Sequence, residues 1–233
     1  MAKRARKRKL AIWINGTKVG HWESGGPTPS FDYDEDWLAN PQAVPLSITM
    51  PLAPGARYRG AVVDAYFNNL LPDNRDILMR LQARFRTASD SAADLLAEIG
   101  RDCVGAIQIV PEGETPSEIT RIEGVPLSEH DVEAILDGVT VAHGPGQDDD
   151  FRISIAGAQE KTGLLWHNHQ WHRPLGATPT THIFKLPLGQ SRTGIDLSTS
   201  IENEWCCAQI LKAFGLPVAD CSMQRFGRHK VLV

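Results

Sequence analysis

Phe151-Arg152-Ile153-Ser154-Ile155-Ala156-Gly157-Ala158-Gln159-Glu160-Lys161-Thr162-Gly163-Leu164-Leu165 is the stretch on which the chain turns. Phe151, Ile153 and Ile155 alternate into a tip of Ala156-Gly157-Ala158, and a second apolar run leaves it at Leu164 and Leu165. This pattern predicts two strands joined by a loop with almost no side-chain bulk at its tip. Such a tip lets backbone N–H groups approach a ligand closely, and a phosphate is the usual anion in such a nest. Lys161 follows as a cation. The Walker pattern does not fit, because Glu160 stands where its second glycine belongs and would repel phosphate. Two readings stay open here: a strand–loop–strand cover over phosphates, and an ordinary hairpin.

The composition bounds the class. At 233 residues and 42% hydrophobic, the chain can bury one large core or two small ones. A net charge of −4 argues against nucleic-acid binding by the whole surface. The exception is the start, where Lys3, Arg4, Arg6, Lys7, Arg8 and Lys9 crowd together. Residues 1–9 read as a basic flexible arm, either a solvated tail or a contact for DNA, RNA or acidic lipid. No apolar run approaches a membrane span, and no signal-peptide core follows the basic start. The expected location is cytoplasmic. Cys103, Cys206, Cys207 and Cys221 lack metal or disulfide spacing and read as reduced, buried thiols. His167, His169 and His172 lie at a polar hairpin tip beside Trp166 and Trp171 and read as surface residues, so no metal site is expected.

In chain order, apolar residues 10–14, Asn15-Gly16 and then residues 18–22 predict a hairpin with a type I′ turn. Residues 31–33 and 46–50 read as further strands, the latter with alternating faces. Helices are expected over 62–71, 76–85 and 91–99, the last closed by Gly100, followed by a strand over 104–110. Ser128 and Asp131 fit a capping box opening a helix to Leu136. Residues 137–150 change to Gly, Pro, Gln and three aspartates and read as a linker. The expected division is therefore 1–9, 10–136, 137–150 and 151–233.

Beyond the linker, Lys185 lies within the apolar strand Thr180-Thr181-His182-Ile183-Phe184-Lys185-Leu186-Pro187. A lysine there either snorkels outward or meets an anion. Thr199 and Glu202 fit a capping box for the next helix, which Gly215 and Pro217 stop. Glu204 falls on the apolar stripe of that helix and needs a cation, for which Lys185 is the candidate. A phosphate-cover hairpin, a strand lysine and a helix glutamate, in that order, are the parts of a protein-kinase N-lobe. The same residues also fit a surface lysine and a helix-edge glutamate that never meet.

The sequence resembles the HipA family, the serine/threonine-kinase toxins of bacterial HipBA toxin–antitoxin modules. The resemblance is carried by Phe67-Asn68-Asn69-Leu70-Leu71-Pro72-Asp73, by residues 94–106 and 151–165, by Thr178-Pro179 with the strand of Lys185, and by Asn203-Glu204. It implies an α+β fold: a small antiparallel sheet with helices, the HipA N-terminal subdomain, followed by a protein-kinase-like N-lobe. It implies that Ala156, Gly157, Ala158, Gln159, Glu160 and Lys161 form the ATP-phosphate loop, with Lys185 on the phosphates. It implies autophosphorylation at Ser154 as an off-switch; a dianionic phosphate there would compete with ATP for the loop's donors. ATP and Mg2+ are the implied cofactors. Glutamate–tRNA ligase is the implied substrate, and a HipB-type helix-turn-helix antitoxin the implied partner, with DNA reached through it.

The resemblance also implies a helical C-lobe beyond a hinge, carrying the catalytic and magnesium-binding residues. Since the sequence stops at Val231-Leu232-Val233, where that hinge is expected, the chain reads as an N-terminal portion, truncated, with the C-lobe absent. No catalytic residue is expected within it, and the short chain alone is expected to be inactive. The alternative is a non-catalytic module that contacts a HipB-type antitoxin or a kinase partner.

Overall fold

Backbone chemistry sets the first hairpin. In a computed structural model that describes residues 7–103, 105–140, 159–190 and 194–233, strand β1 (Arg8–Ile14) pairs antiparallel with β2 (Thr17–Ser24). The turn between them holds Asn15 at φ 48° and Gly16 at φ 76°, the positive angles that match strand twist. Then follow β3 (Ser30–Tyr33), α1 (Glu35–Ala39), β4 (Arg57–Arg59), α2 (Ala61–Asn68), α3 (Arg75–Phe85), α4 (Ala92–Ile99) and β5 (Ile107–Pro111). Among the described residues these strands form one antiparallel sheet in the order β4-β3-β2-β1-β5. Its core is aromatic: Trp22 stacks on Phe67 with centroids 3.8 Å apart, and Phe31 is fully buried beside them. Gly20 of β2 has no room for a side chain, since a Cβ would lie 2.1 Å from the Asp32 carbonyl oxygen.

Two sequence expectations fail in this unit. Residues 46–50 form no strand; a single bridge joins Ser47 to Met50, and Ile48 is 94% exposed. Pro45 and Pro51 bracket the segment, and neither has an N–H with which a ladder could continue past its ends. It hangs instead on the Tyr33 hydroxyl, which donates to the Met50 carbonyl (2.6 Å) and accepts from the Leu46 N–H (2.8 Å). The basic arm, too, ends sooner than the charge run suggests. Arg8 lies in β1, where its Nε donates to the buried carboxylate of Asp94 at 2.9 Å, and Lys9 faces Glu112 at 3.7 Å.

The second unit contains β6 (Gly124–Pro126), α5 (Glu129–Thr140), β7 (Lys161–His167), β8 (Gln170–Pro174) and β9 (His182–Lys185). It continues through β10 (Gly189–Gln190), β11 (Asp196–Leu197), α6 (Ser200–Ala213), β12 (Met223–Phe226) and β13 (His229–Leu232). Its described strands form an antiparallel sheet in the order β12-β13-β9-β7-β8-β6, and β10 and β11 pair separately. On α5, Val132 and Leu136 share a face at i, i+4 and pack with Leu127, Leu164, Phe184, Phe226 and Val231. Ser128 caps α5 as expected: its hydroxyl accepts from the Asp131 N–H at 3.2 Å, and the Asp131 carboxylate accepts from the Ser128 N–H at 2.8 Å. The helix runs to Thr140, beyond the expected end at Leu136. By contacts the division of the chain falls between Arg121 and Ile122, whereas composition alone puts it at 137–150. Strand β6 is the reason, since it pairs with β8 and carries α5 with it.

Candidate functional site

Alternation along β9 decides where Lys185 points. Phe184 is fully buried in the core cluster, so its neighbours Ile183 and Lys185 face the other side of the sheet. Lys185 is central there, opposite Lys161 of β7 on one flank and Leu232 of β13 on the other. Two lysines directly opposite each other repel, which makes this face one that recruits carboxylates and other anions. Helix α6 supplies one: the Lys185 ammonium donates to Glu204 Oε1. The side chains are 29% and 42% exposed, so the pair adds little to stability and acts mainly to orient the ammonium.

The end of the small-residue loop lies beside this pair. Gln159 Nε2 donates to the Leu186 carbonyl at 2.7 Å, and the Leu186 N–H donates to the Glu160 carbonyl at 3.1 Å. Gln159, Glu160 and Lys161 are thereby tied to the end of β9 that carries Lys185. Ser154, Ala156, Gly157 and Ala158, and the first strand expected over 151–155, lie outside the described residues.

Several details of the sequence reading change. Glu204 is not buried on an apolar stripe, because Ile201 is the one buried residue of α6. Cys206 and Cys207, expected to be buried, are exposed on the same helix, while Cys103 is buried. The capping box expected from Thr199 and Glu202 does not form: Thr199 makes no side-chain cap bond, and Glu202 accepts from Lys230 of β13. That pair was missed because its signal is a long-range register. Among the described residues no group of three or more His, Cys, Asp or Glu side chains could hold a metal, and no helix is long and apolar enough to cross a membrane.

A strand lysine paired with a glutamate on the helix that packs against its sheet is the device by which protein kinases hold a nucleotide's phosphates. Comparison with known proteins adds likenesses that bear on this geometry. Residues 10–110 match the HipA N-terminal domain and residues 153–233 match the HipA-like C-terminal domain. The two matches follow one another along the chain in that order. It is 30% identical over 216 residues to a Sinorhizobium fredii protein named "Putative kinase Y4mE", covering 91% of this chain and 50% of that protein. It is 26% identical to the serine/threonine-protein kinase toxin HipA of Shewanella oneidensis, over 98% of this chain and 49% of the relative. It is also similar in fold to a chain in the structure of the Shewanella oneidensis HipA, HipB and operator DNA complex. That likeness has a TM-score of 0.66 and 25% identity, over 96% of this chain and 49% of the other. The chain spans about half the length of the curated relatives it matches.

The match at 153–233 corrects the expectation of an N-terminal portion alone. The HipA-like C-terminal domain is represented, so the descriptions "C-lobe absent", "truncated" and "lacking the catalytic and magnesium-binding lobe" do not stand. The inactivity expected on that ground falls with them. The resemblance puts the lobe boundary at the expected hinge, whereas the match to the HipA-like C-terminal domain begins at residue 153, ahead of β7.

Proposed function

We propose that this protein is a HipA-type serine/threonine-protein kinase toxin that uses ATP to phosphorylate a protein serine. The observation that carries the reading is the Lys185–Glu204 pair, placed on one sheet face beside Lys161 and the end of the loop. Lys185, oriented by Glu204, neutralises the phosphates of ATP, and backbone amides around Ala156, Gly157 and Ala158, with Gln159, Glu160 and Lys161, cradle them. The names of the relatives, a kinase and a kinase toxin, point the same way. Phosphorylation of Ser154 switches the kinase off by placing a dianion where the loop's donors serve ATP.

For ATP the residues fit, since Lys185 stands opposite Lys161 on the sheet and stays partly exposed. Mg2+ beside ATP is usually held by one or two carboxylates together with the phosphates themselves. A HipB-type helix-turn-helix antitoxin is the proposed partner, by likeness to the HipA of the HipA–HipB–DNA complex, with DNA reached through it. Glutamate–tRNA ligase, the family's substrate, is the proposed target, and the cytoplasm the proposed location.

The test is nucleotide binding and phosphate incorporation from labelled ATP, for the parent chain and for Lys185→Met. The substitution is expected to weaken nucleotide binding at least tenfold, since a charge-assisted contact to phosphate is lost. Equal binding by both proteins refutes the reading.

A further inference from the structure

Helix α6 is seated on its sheet with very little apolar contact. Ile201 is its one buried residue, and Ile210, Leu211 and Phe214 are exposed. Taking Ile201 as the sheet-facing line, Glu202 falls about 100° to one side and Glu204 about 60° to the other. Each flank carries one ion pair, Lys230 with Glu202 and Lys185 with Glu204. Both lysines project from one sheet face: Leu232 stands opposite Lys185, and Lys230 is two residues before Leu232 on the same strand. They are diagonal neighbours, their backbone positions about 7–8 Å apart by ordinary sheet spacing. Two lysines so placed under one helix compete for its carboxylates.

Glu202 is also placed against local preference. It forgoes the capping box that Thr199 offers and turns instead to Lys230 of β13. A residue that breaks a local rule in this way marks a constraint imposed from elsewhere. The hydrogen bond from Lys230 holds the Glu202 carboxyl below the usual carboxylate range.

We propose that Glu202–Lys230 is a positioning pair: it occupies Lys230 and fixes the roll of α6, leaving Glu204 to orient Lys185. Its consequence for nucleotide binding rests on the function proposed above; its effect on the helix does not. A helix tied on one flank can roll about that tie, whereas ties on both flanks of the buried line prevent it.

The experiment measures affinity for a fluorescent ATP analogue, and amide exchange along α6 without nucleotide, on the full chain. The variants are Glu202→Gln, Lys230→Gln, Glu204→Gln and the double variant Glu202→Gln with Glu204→Gln. Glu202→Gln leaves Lys230 to draw Glu204 away, so faster exchange across α6 and about fivefold weaker nucleotide binding are expected. Lys230→Gln removes the competitor together with the tether, so its loss is smaller. Once Glu204 is already Gln, adding Glu202→Gln costs no further affinity, because Glu202 acts through it. Equal losses in both backgrounds, or unchanged exchange in Glu202→Gln, overturn the positioning role. If the parent binds no nucleotide and Lys185→Met changes nothing, the proposed function falls, while the exchange rates still decide the pair.

Discussion

Lys185 owes its position to its neighbour. Phe184 must be buried, so strand alternation turns the ammonium to the opposite face, where Glu204 meets it. That much was legible in the sequence, because an apolar strand and the helix after it follow from local patterns. Glu202–Lys230 was not legible. It depends on how β13 registers against β9, and local pattern pointed Glu202 to a cap instead. Gly20 is a second case in which a single residue carries a long-range constraint. A methyl group there would lie 2.1 Å from a backbone oxygen of the adjoining strand, and backbone cannot move aside as a flexible side chain can. Gly20→Ala is therefore expected to destabilise the first sheet by about 3 kcal/mol. Urea unfolding followed by Trp fluorescence checks this, Trp22 lying on the same strand.

Elements with caps and periodic faces were read well from sequence, as α3, α4 and α5 show, since those signals are local. The strand expected over 46–50 was not there, because two prolines and a tyrosine hydroxyl outweighed alternation. How α5 is tied down involves charges the sequence left unassigned. The Glu133 carboxylate accepts from the Arg228 N–H at 3.0 Å, and Asp137 accepts from Arg228 Nη2 at 2.7 Å and pairs with His229. The hydrogen bond from His229, then that from Arg228, hold the Asp137 carboxyl below its ordinary value. Asp131 is likewise lowered by its capping bonds with Ser128. A carboxyl lowered in the folded state binds fewer protons there than in the unfolded chain, so its stabilisation is present above the ordinary carboxylate pKa near ~4. It is lost as pH falls from there through the lower folded-state values. Melting temperature is accordingly expected to drop on acidification below about pH 4. Asp137→Asn is expected to melt lower than the parent at neutral pH and to shallow that drop. An unchanged acid slope in Asp137→Asn would show that the α5 contact contributes nothing to it.

At the scale of the whole molecule, the division of the chain differs from the one composition suggests, and the difference has a measurable consequence. The run of residues 137–150 has a linker's composition, but composition reports solvent preference and says nothing about which sheet an element joins. Strand β6 extends the second sheet beyond β8, and Leu127, Val132 and Leu136 pack into the cluster around Phe184 and Val231. Each of these three side chains is at least nine-tenths buried. Burying a side chain of this size stabilises by about 1.5–3 kcal/mol, so the three contribute about 6 kcal/mol. That is comparable to the entire stability of an ordinary domain, about 5–15 kcal/mol. A fragment of residues 122–233 is therefore expected to fold cooperatively, whereas a fragment of residues 151–233, cut where composition places the boundary, is not. The shorter fragment would leave Phe184, Leu164 and Val231 facing solvent on one side of the sheet, and Phe184 is the residue whose burial turns Lys185 the other way. Thermal melts of the two fragments, with an apolar dye reporting exposed surface, check this. A cooperative melt of 151–233 at the same temperature as 122–233 would show that α5 and β6 are dispensable to the sheet that carries Lys185.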